Sequence, residues 1–200
     1  HVGTRRPRTD LNLADSVKQS ADLMEIVRQP DVDVVVEVMG GIHPAYELIM
    51  EAMKHGKHVV TANKALLAEH GTALFKAADE YKVQIAYEAA VAGGIPIIKV
   101  IREGLAANRI DWLAGIINGT GNFILSEMRE KGRTFEDVLK EAQELGYAEA
   151  DPTFDVEGID AAHKLTLLAS IAFGIPLQFD KVFTEGISKI TAQDVKYAEE

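Results

Sequence analysis

The segment from Asp31 to Val38, DVDVVVEV, constrains the fold more than any other part of the chain. Its β-branched and almost continuously apolar residues are typical of a strand that is covered on both faces within a parallel sheet. Helical patterns over 43–55 and 66–81 alternate with further strand patterns over 57–61 and 83–87. The order strand, helix, strand, helix, strand predicts a doubly wound parallel α/β sheet with right-handed crossovers.

A glycine-rich turn is missing from this predicted sheet. A dinucleotide-binding Rossmann fold begins with a strand and a G-x-G-x-x-G turn that holds the pyrophosphate, and the sequence contains no such turn. We therefore interpret the three strands as the later part of a partial Rossmann-type sheet. We expect that a leading βα segment of roughly 30–40 residues, the size of such a unit, is absent, and that the last helical pattern, which opens at Thr191, is cut short by the chain end.

The chain changes in character after Glu88. Residues 89–96, AAVAGGIP, are small and indicate a junction, so we predict two domains, 1–88 and 89–200. In the second domain we expect strands over 110–117 and 179–184. They should be accompanied by helices over 97–105, 123–129, 135–145 and about 156–173. This mixture predicts an α+β domain that follows the α/β domain.

Composition excludes several classes of partner and site. The chain has 200 residues, of which 47% are hydrophobic, enough for one or two domains with a real core. Its net charge of −10 argues against binding to nucleic acid or to an anionic membrane surface. The absence of cysteine excludes disulfides and thiolate metal sites, and no apolar run approaches the roughly 18–20 residues of a membrane span. We expect a soluble, cytoplasmic protein.

The most heavily charged segment runs from Gly146 to Lys164, GYAEADPTFDVEGIDAAHK. Asp160 and Lys164 are four residues apart, which places both side chains on the same face of a helix. The apolar run LTLLASIAFG follows directly, so the charged end should lie next to a buried helix. We expect Asp155 to be the N-cap of that helix. The alternative is an ordinary capped helix with a weak surface salt bridge.

Polar residues also follow two of the predicted strands. Thr61 and Lys64 stand at the end of the strand over 57–61, and Gly40 and Gly41 end the strand before it. Because ligands of open α/β sheets bind at the carboxyl ends of the strands, these residues are placed to line a cleft. The alternative is that they only cap the next helix. Residues 118–122, NGTGN, suggest a phosphate-binding turn only weakly, since their spacing matches neither G-x-G-x-x-G nor a P-loop.

The pattern Ala-x-x-x-Gly-Tyr-x-x-x-Asp-Pro-x-x-Asp-x-x-Gly-x-Asp-x-x-x-Lys, from Ala142 to Lys164, closely resembles the signature of the homoserine dehydrogenase family. The segments TANK at 61–64 and NGTGNFI at 118–124, together with Glu88, stand in the order expected for that family. The resemblance extends from about Asp31 to Phe183. Its many fixed positions make it specific.

The resemblance implies an oxidoreductase that interconverts L-homoserine and L-aspartate 4-semialdehyde with NAD or NADP, in the biosynthesis of threonine, methionine and isoleucine. It implies Lys164 as the general acid–base, with Asp160 beside it. The implied substrate-binding residues are Glu149, Asp160, Thr120 and, as a weaker candidate, Asp155. The implied cofactor-binding residues are Lys64, Gly40, Thr61 and Gly146.

The resemblance also implies a monovalent cation, usually sodium, held by Glu88 and by the carbonyls of Val91, Gly93 and Ile95. From the residues alone, a glycine-rich hinge is the better interpretation of this segment. The family further implies that the second domain is a catalytic and dimerisation domain, so that a homodimer is expected. Two alternatives stay open. One is another Rossmann-linked dehydrogenase of small amino or keto acids, and the other is a non-catalytic fragment or a substrate-binding or assembly subunit.

Overall fold

The computed structural model describes residues 1–6 and 8–199. The chain divides into two compact units, His1–Val100 and Ile101–Glu200. The first unit continues past residue 88, and the domain boundary predicted there stays a prediction. Both carboxylate oxygens of Glu88 accept hydrogen bonds from the backbone, from Ile98 N at 2.7 Å and from Lys99 N at 3.1 Å. These bonds join the segment up to Val100 to the first unit.

The first unit is built on a three-stranded parallel sheet in the order β3-β4-β5, and a small parallel pair, β1 and β2, precedes it. The strands are β1 Val2–Gly3, β2 Gln19–Ser20, β3 Val34–Glu37, β4 His58–Thr61 and β5 Ile85–Ala86. The helices are α1 Leu23–Arg28, α2 Ala45–Lys54, α3 Lys64–Tyr81, α4 Glu88–Val91 and α5 Ile97–Lys99, and a π-helical turn over Val100–Gly104 follows α5. The three predicted strands and the two long helices between them are confirmed.

The core of the first unit lies between the sheet and the helices α2 and α3. The fully buried side chains of α2 include Ile49 and Met53, and those of α3 include Leu66, Leu67 and Leu74. Helix α3 begins at a side-chain cap, because Asn63 Oδ1 accepts a hydrogen bond from Leu66 N at 3.2 Å. The apolar side chains of both helices are buried, as their sequence periodicity predicts.

Strand β3 differs from the prediction that both of its faces are covered. Val34 is 48% exposed and Val36 is 62% exposed. Within residues 1–6 and 8–199, β3 pairs with β4 on one edge only. A cavity of about 500 Å³ lies beside this strand and is lined by Val34, Val35 and Val36 together with Leu23 and Ile49. The apolar run that predicted a buried strand thus forms the uncovered edge of the sheet.

The described part of the second unit contains helices and no strand. The helices are α6 Gly119–Lys131, α7 Phe135–Glu144, α8 Thr153–Val156, α9 Ile159–Phe173 and α10 Ala192–Glu199, with a 3₁₀ turn over Phe179–Lys181. Ile124 and Met128 of α6, Phe135 and Val138 of α7, and Val156 of α8 form one buried cluster. Among the described residues, no helix is both long enough and apolar enough to cross a membrane.

Three sequence expectations for the second unit are wrong in this structure. The predicted strands over 110–117 and 179–184 are not formed, since a strand needs a neighbouring edge to satisfy its backbone groups. The predicted helix over about 156–173 is confirmed as α9, but it begins at Ile159, after Gly158, whose φ of +79° suits a residue without a side chain. Asp155 consequently lies inside α8 and is not the N-cap of α9.

Candidate functional site

An ion pair on α9 lies at the centre of the charged cluster in the second unit. Lys164 Nζ lies 2.7 Å from Asp160 Oδ2, and the two side chains are 16% and 7% exposed. Lys164 Nζ also donates a hydrogen bond to the Ile117 carbonyl at 2.8 Å. The predicted pairing on one helix face is confirmed. Because both charges are largely removed from water, this pair differs from an ordinary surface salt bridge.

Asn118 connects this ion pair to a second carboxylate. Its Nδ2 donates to Asp160 Oδ2 at 3.0 Å and to Asp155 Oδ1 at 2.8 Å. Its Oδ1 accepts from Gly121 N at 2.6 Å, so the same side chain is the N-cap of α6. The four side chains at 118, 155, 160 and 164 form what we call the lysine cluster. With two carboxylates and one ammonium, the lysine cluster has an excess of negative charge, which suits a positively charged ligand group.

The other predicted substrate residues lie elsewhere in the second unit. Thr120 is buried in the first turn of α6, where its hydroxyl donates to the Tyr147 carbonyl at 2.8 Å. Glu149 is exposed, and its backbone carbonyl accepts from Gln143 Nε2 at 3.1 Å. Gly146, which was predicted to bind cofactor, follows α7 with a φ of +75°. The roles of these three residues stay predictions.

The carboxyl end of the sheet in the first unit holds the remaining predicted cofactor residues. Thr61 is buried at the end of β4, and Lys64 is the first residue of α3. Gly40 and Gly41 both have positive φ values, +71° and +74°. A Cβ built on Gly40 would meet no atom within 4 Å, so open space adjoins this turn. An open glycine turn beside a helix start, at the carboxyl end of parallel strands, fits the binding of a dinucleotide.

Glu37 is a residue of this sheet edge that the sequence analysis did not single out. It is only 3% exposed. Its Oε2 accepts from the Thr61 hydroxyl at 2.6 Å, and its Oε1 accepts from Met39 N at 2.8 Å and from Gly40 N at 3.2 Å. A carboxylate that ends an apolar strand is a signal that could have identified it, because a buried charge needs partners.

Asn63 completes the link between the two strand ends. Its Nδ2 donates to the Gly41 carbonyl at 2.6 Å, while its backbone N–H donates to Thr61 Oγ1 at 3.0 Å. The turn after β3 and the turn after β4 are therefore held together by side chains. This arrangement fixes the shape of the edge that the sequence predicts to bind a cofactor.

At the predicted cation site, oxygens of two of the predicted ligands, Glu88 and Ile95, accept backbone hydrogen bonds within the chain. The Glu88 carboxylate accepts the two backbone hydrogen bonds described above, and the Ile95 carbonyl accepts from Ile97 N at 2.8 Å. Among the described residues, no cluster of three or more acidic or histidine side chains could hold a metal ion. The oxygens of Glu88 and Ile95 thus have partners within the chain. The sodium site stays a prediction.

Asp151, in the turn before α8, is held by two local hydrogen bonds from Thr153. The hydroxyl and the backbone N–H of Thr153 donate to Asp151 Oδ1, at 2.6 and 3.1 Å, and hold the pKa of the Asp151 carboxyl below its usual range. This carboxylate stays charged at neutral pH and fixes the turn before α8. It therefore supports the segment that carries Asp155.

Two family models match the chain over most of its length. One, described as homoserine dehydrogenase, matches residues 96–200, and the other, described as the NAD binding domain of homoserine dehydrogenase, matches residues 2–88. A homoserine dehydrogenase from Pseudomonas aeruginosa is 67% identical over 99% of this chain and 45% of its own length. One from Neisseria gonorrhoeae is 63% identical over 90% of this chain and 41% of its own. The chain thus spans less than half the length of these relatives.

Solved structures agree with the sequence comparison. A homoserine dehydrogenase from Thiobacillus denitrificans superposes with a TM-score of 0.90 at 64% identity, over 92% of this chain and 43% of that one. A hyperthermophilic archaeal homoserine dehydrogenase in complex with NADPH gives a TM-score of 0.78 at 31% identity, over 90% of this chain and 56% of that one. The mixed α/β fold with a parallel sheet is confirmed. This chain belongs to the homoserine dehydrogenase family.

Proposed function

We propose that this chain provides the catalytic lysine and part of the cofactor-binding sheet of an NAD(P)-dependent enzyme that interconverts L-homoserine and L-aspartate 4-semialdehyde. The observation that carries the proposal is the lysine cluster, in which Lys164 is paired with Asp160 inside the family signature. The biosynthesis of threonine, methionine and isoleucine follows from that activity.

The chemistry requires one proton and one hydride. NAD(P)H, when bound, supplies the hydride to the aldehyde carbon, and the aldehyde oxygen then needs a proton to become the alcohol. An ammonium has three N–H bonds, and the structure gives two partners to that of Lys164, Asp160 and the Ile117 carbonyl. The third N–H is the one that would donate to the oxygen of the substrate. In homoserine oxidation, the neutral amine would take the hydroxyl proton back.

The negative charge of the lysine cluster suits the amino end of the substrate. The substrate carries an ammonium group, and Asp155 and Asp160 both lie within hydrogen-bond distance of Asn118. A carboxylate pair of this kind attracts an ammonium. We extend the same role to Glu149, and propose that Thr120 hydrogen-bonds the substrate.

The cofactor would bind at the carboxyl end of the sheet in the first unit, against Gly40, Thr61 and Lys64. The uncovered edge of β3 and the cavity beside it support the proposal that further strand and helix structure completes this sheet in the active enzyme. We also propose a homodimer formed through the second unit, a cytoplasmic location and a role for Gly146 in cofactor binding.

The test is oxidation of NADPH or NADH by aspartate 4-semialdehyde. It compares the isolated chain with a form extended at both ends by the flanking segments of the Pseudomonas aeruginosa relative, hereafter the extended form. We expect turnover in the extended form, with homoserine as product, and little in the isolated chain. Absence of turnover in both, when both are folded by circular dichroism, would favour a binding or assembly subunit. Faster turnover of another small amino or keto acid would favour a different dehydrogenase.

A further inference from the structure

Asn118 occupies a position in the lysine cluster that its sequence neighbourhood does not suggest. Its amide nitrogen donates to one oxygen of each carboxylate, Asp155 and Asp160, and its amide oxygen accepts from Gly121 N. We propose, on the basis of the function proposed above, that Asn118 is a positioning residue that holds these two carboxylates side by side and so sets the direction of Lys164 and the negative charge that surrounds its ammonium.

The chemistry of the amide explains why this residue type fits. An asparagine side chain offers two N–H donors on one atom and an acceptor on another, without net charge. Both donors are used here on carboxylate oxygens, and the acceptor caps a helix. A carboxylate at the same position would bring a third negative charge against the other two. An alanine would remove all three hydrogen bonds.

Asn118 is connected to Lys164 in two ways, through an acceptor atom that both side chains share and through the backbone of the preceding residue. Asp160 Oδ2 is the acceptor for both Lys164 Nζ and Asn118 Nδ2, at 2.7 and 3.0 Å. The other partner of Lys164 Nζ is the carbonyl of Ile117, the residue directly before Asn118. The charged side chains joined in this cluster are Asp155 on α8 and Asp160 and Lys164 on α9. A change at Asn118 therefore alters the surroundings of the ammonium without touching the lysine itself.

The first variant is Asn118→Asp, measured in the extended form by the pH dependence of kcat. Aspartate keeps the size of the side chain and its capping oxygen, but it adds a negative charge that favours the ammonium form of Lys164. Aldehyde reduction needs the ammonium form of Lys164, so the fall of kcat for this direction at alkaline pH should begin at a higher pH in the variant than in the parent. Homoserine oxidation needs the neutral amine, so the rise of kcat for this direction with increasing pH should also occur at a higher pH in the variant. We expect both shifts to be about one pH unit.

The second variant is Asn118→Ala, which frees the Asp160 carboxylate to rotate. Misplacement of a reacting group by about 1 Å can reduce turnover roughly 100-fold, and we expect a decrease in kcat of that order with the KM for NADPH unchanged. Thr134→Ala is the matched control. Thr134 caps α7 through a hydrogen bond from Asp137 N to its hydroxyl at 3.2 Å, and it lies outside the lysine cluster. Loss of a helix cap alone should leave kcat near the parent value.

The outcomes separate the two proposals. An inactive extended parent overturns the proposed function. An active parent whose Asn118→Asp variant keeps both pH limbs in place overturns the role of Asn118. The same conclusion holds if Asn118→Ala and Thr134→Ala lower kcat equally. If the alanine variant does not fold, the pH limbs of the Asn118→Asp variant decide the question.

Discussion

Lys164 is the residue whose removal tests the proposed chemistry most directly. In the extended form, Lys164→Ala should lower kcat by about 100- to 10,000-fold, the usual contribution of a general acid–base group. The cofactor is proposed to bind in the first unit, so the Kd for NADPH, measured by fluorescence titration, should stay within about twofold of the parent. A loss of about 1 kcal/mol of binding free energy would raise this Kd roughly fivefold.

The control for this prediction is Lys140→Ala, the same change at an exposed position of α7. It should leave both kcat and cofactor binding unchanged. A second variant, Lys164→Arg, keeps the positive charge beside Asp160 but cannot release a proton near neutral pH. It should therefore be nearly as inactive as the alanine variant. Parent-like turnover in Lys164→Ala would exclude Lys164 as the proton donor.

The contact between Asp160 and Lys164 could be predicted because it is local. Their spacing on one helix fixes their proximity before any tertiary contact is known. Asn118 was not identified as part of this group, because its bonds to Asp155 and Asp160 span 37 and 42 residues of sequence. The same reason applies to Glu37, whose bond to Thr61 spans 24 residues. Contacts of this length depend on how helices and strands pack, which the residue pattern does not specify.

At the scale of helices, Arg133 joins α6 to α7. Its guanidinium donates to Glu127 of α6 at 3.3 Å and also bonds Glu141 of α7. Glu127 accepts a further hydrogen bond from Lys131 at 2.7 Å. The Lys131 ammonium, together with the Arg133 guanidinium, holds the pKa of the Glu127 carboxyl below its usual range. The corner between the two helices therefore depends on a charged carboxylate.

This lowered pKa predicts how stability changes with pH. A carboxyl whose pKa is lower in the folded state than in the unfolded state stabilises the fold above its ordinary pKa. That stabilisation is lost as the pH falls through the lowered value. We expect Glu127→Gln to reduce the urea midpoint of the isolated chain at pH 6, and the difference from the parent to shrink as the pH is lowered toward 3.

The control is Glu130→Gln, which makes the same change in charge at an exposed position of the same helix. It should change the urea midpoint little at either pH, because exposed charges contribute weakly. A difference between Glu127→Gln and the parent that stays constant across this pH range would contradict the prediction. In that case the glutamate would act through its shape and packing alone.

Elements with a local signal were predictable, whereas the two strands expected in the second unit depended on a partner segment that they do not find among the described residues. The cap of α7 is such a local signal, because Thr134 directly precedes the helix pattern over 135–145 and its hydroxyl accepts a hydrogen bond from Asp137 N. The strand predicted over 110–117 has the composition of a strand but pairs with no other segment among the described residues. Exposed Trp112 and Ile116 lie in this segment, which forms neither strand nor helix. Strand composition indicates which segments can pair, and a neighbouring edge decides whether they do.

At the scale of the whole molecule, the first unit has an apolar surface that a complete parallel sheet would bury. Parallel strands are usually covered on both faces, and Val36 on the edge strand β3 is 62% exposed. The cavity of about 500 Å³ next to this strand is bounded by further apolar side chains. The isolated chain should therefore bind a hydrophobic dye such as anilinonaphthalene sulfonate more strongly than the extended form.

Substitution of Val36 by lysine distinguishes a surface that is exposed in both forms from one that is covered in the extended form. In the isolated chain, Val36→Lys places a charge on an exposed edge, where natural sheets often carry lysine, and should change the free energy of unfolding by less than about 0.5 kcal/mol. In the extended form the same charge would be buried without a partner, and the loss should exceed about 2 kcal/mol. Val59→Lys, at a position of β4 that is only 1% exposed, should destabilise both forms. Equal effects of Val36→Lys in the two forms, measured by urea unfolding, would show that added segments leave this edge uncovered.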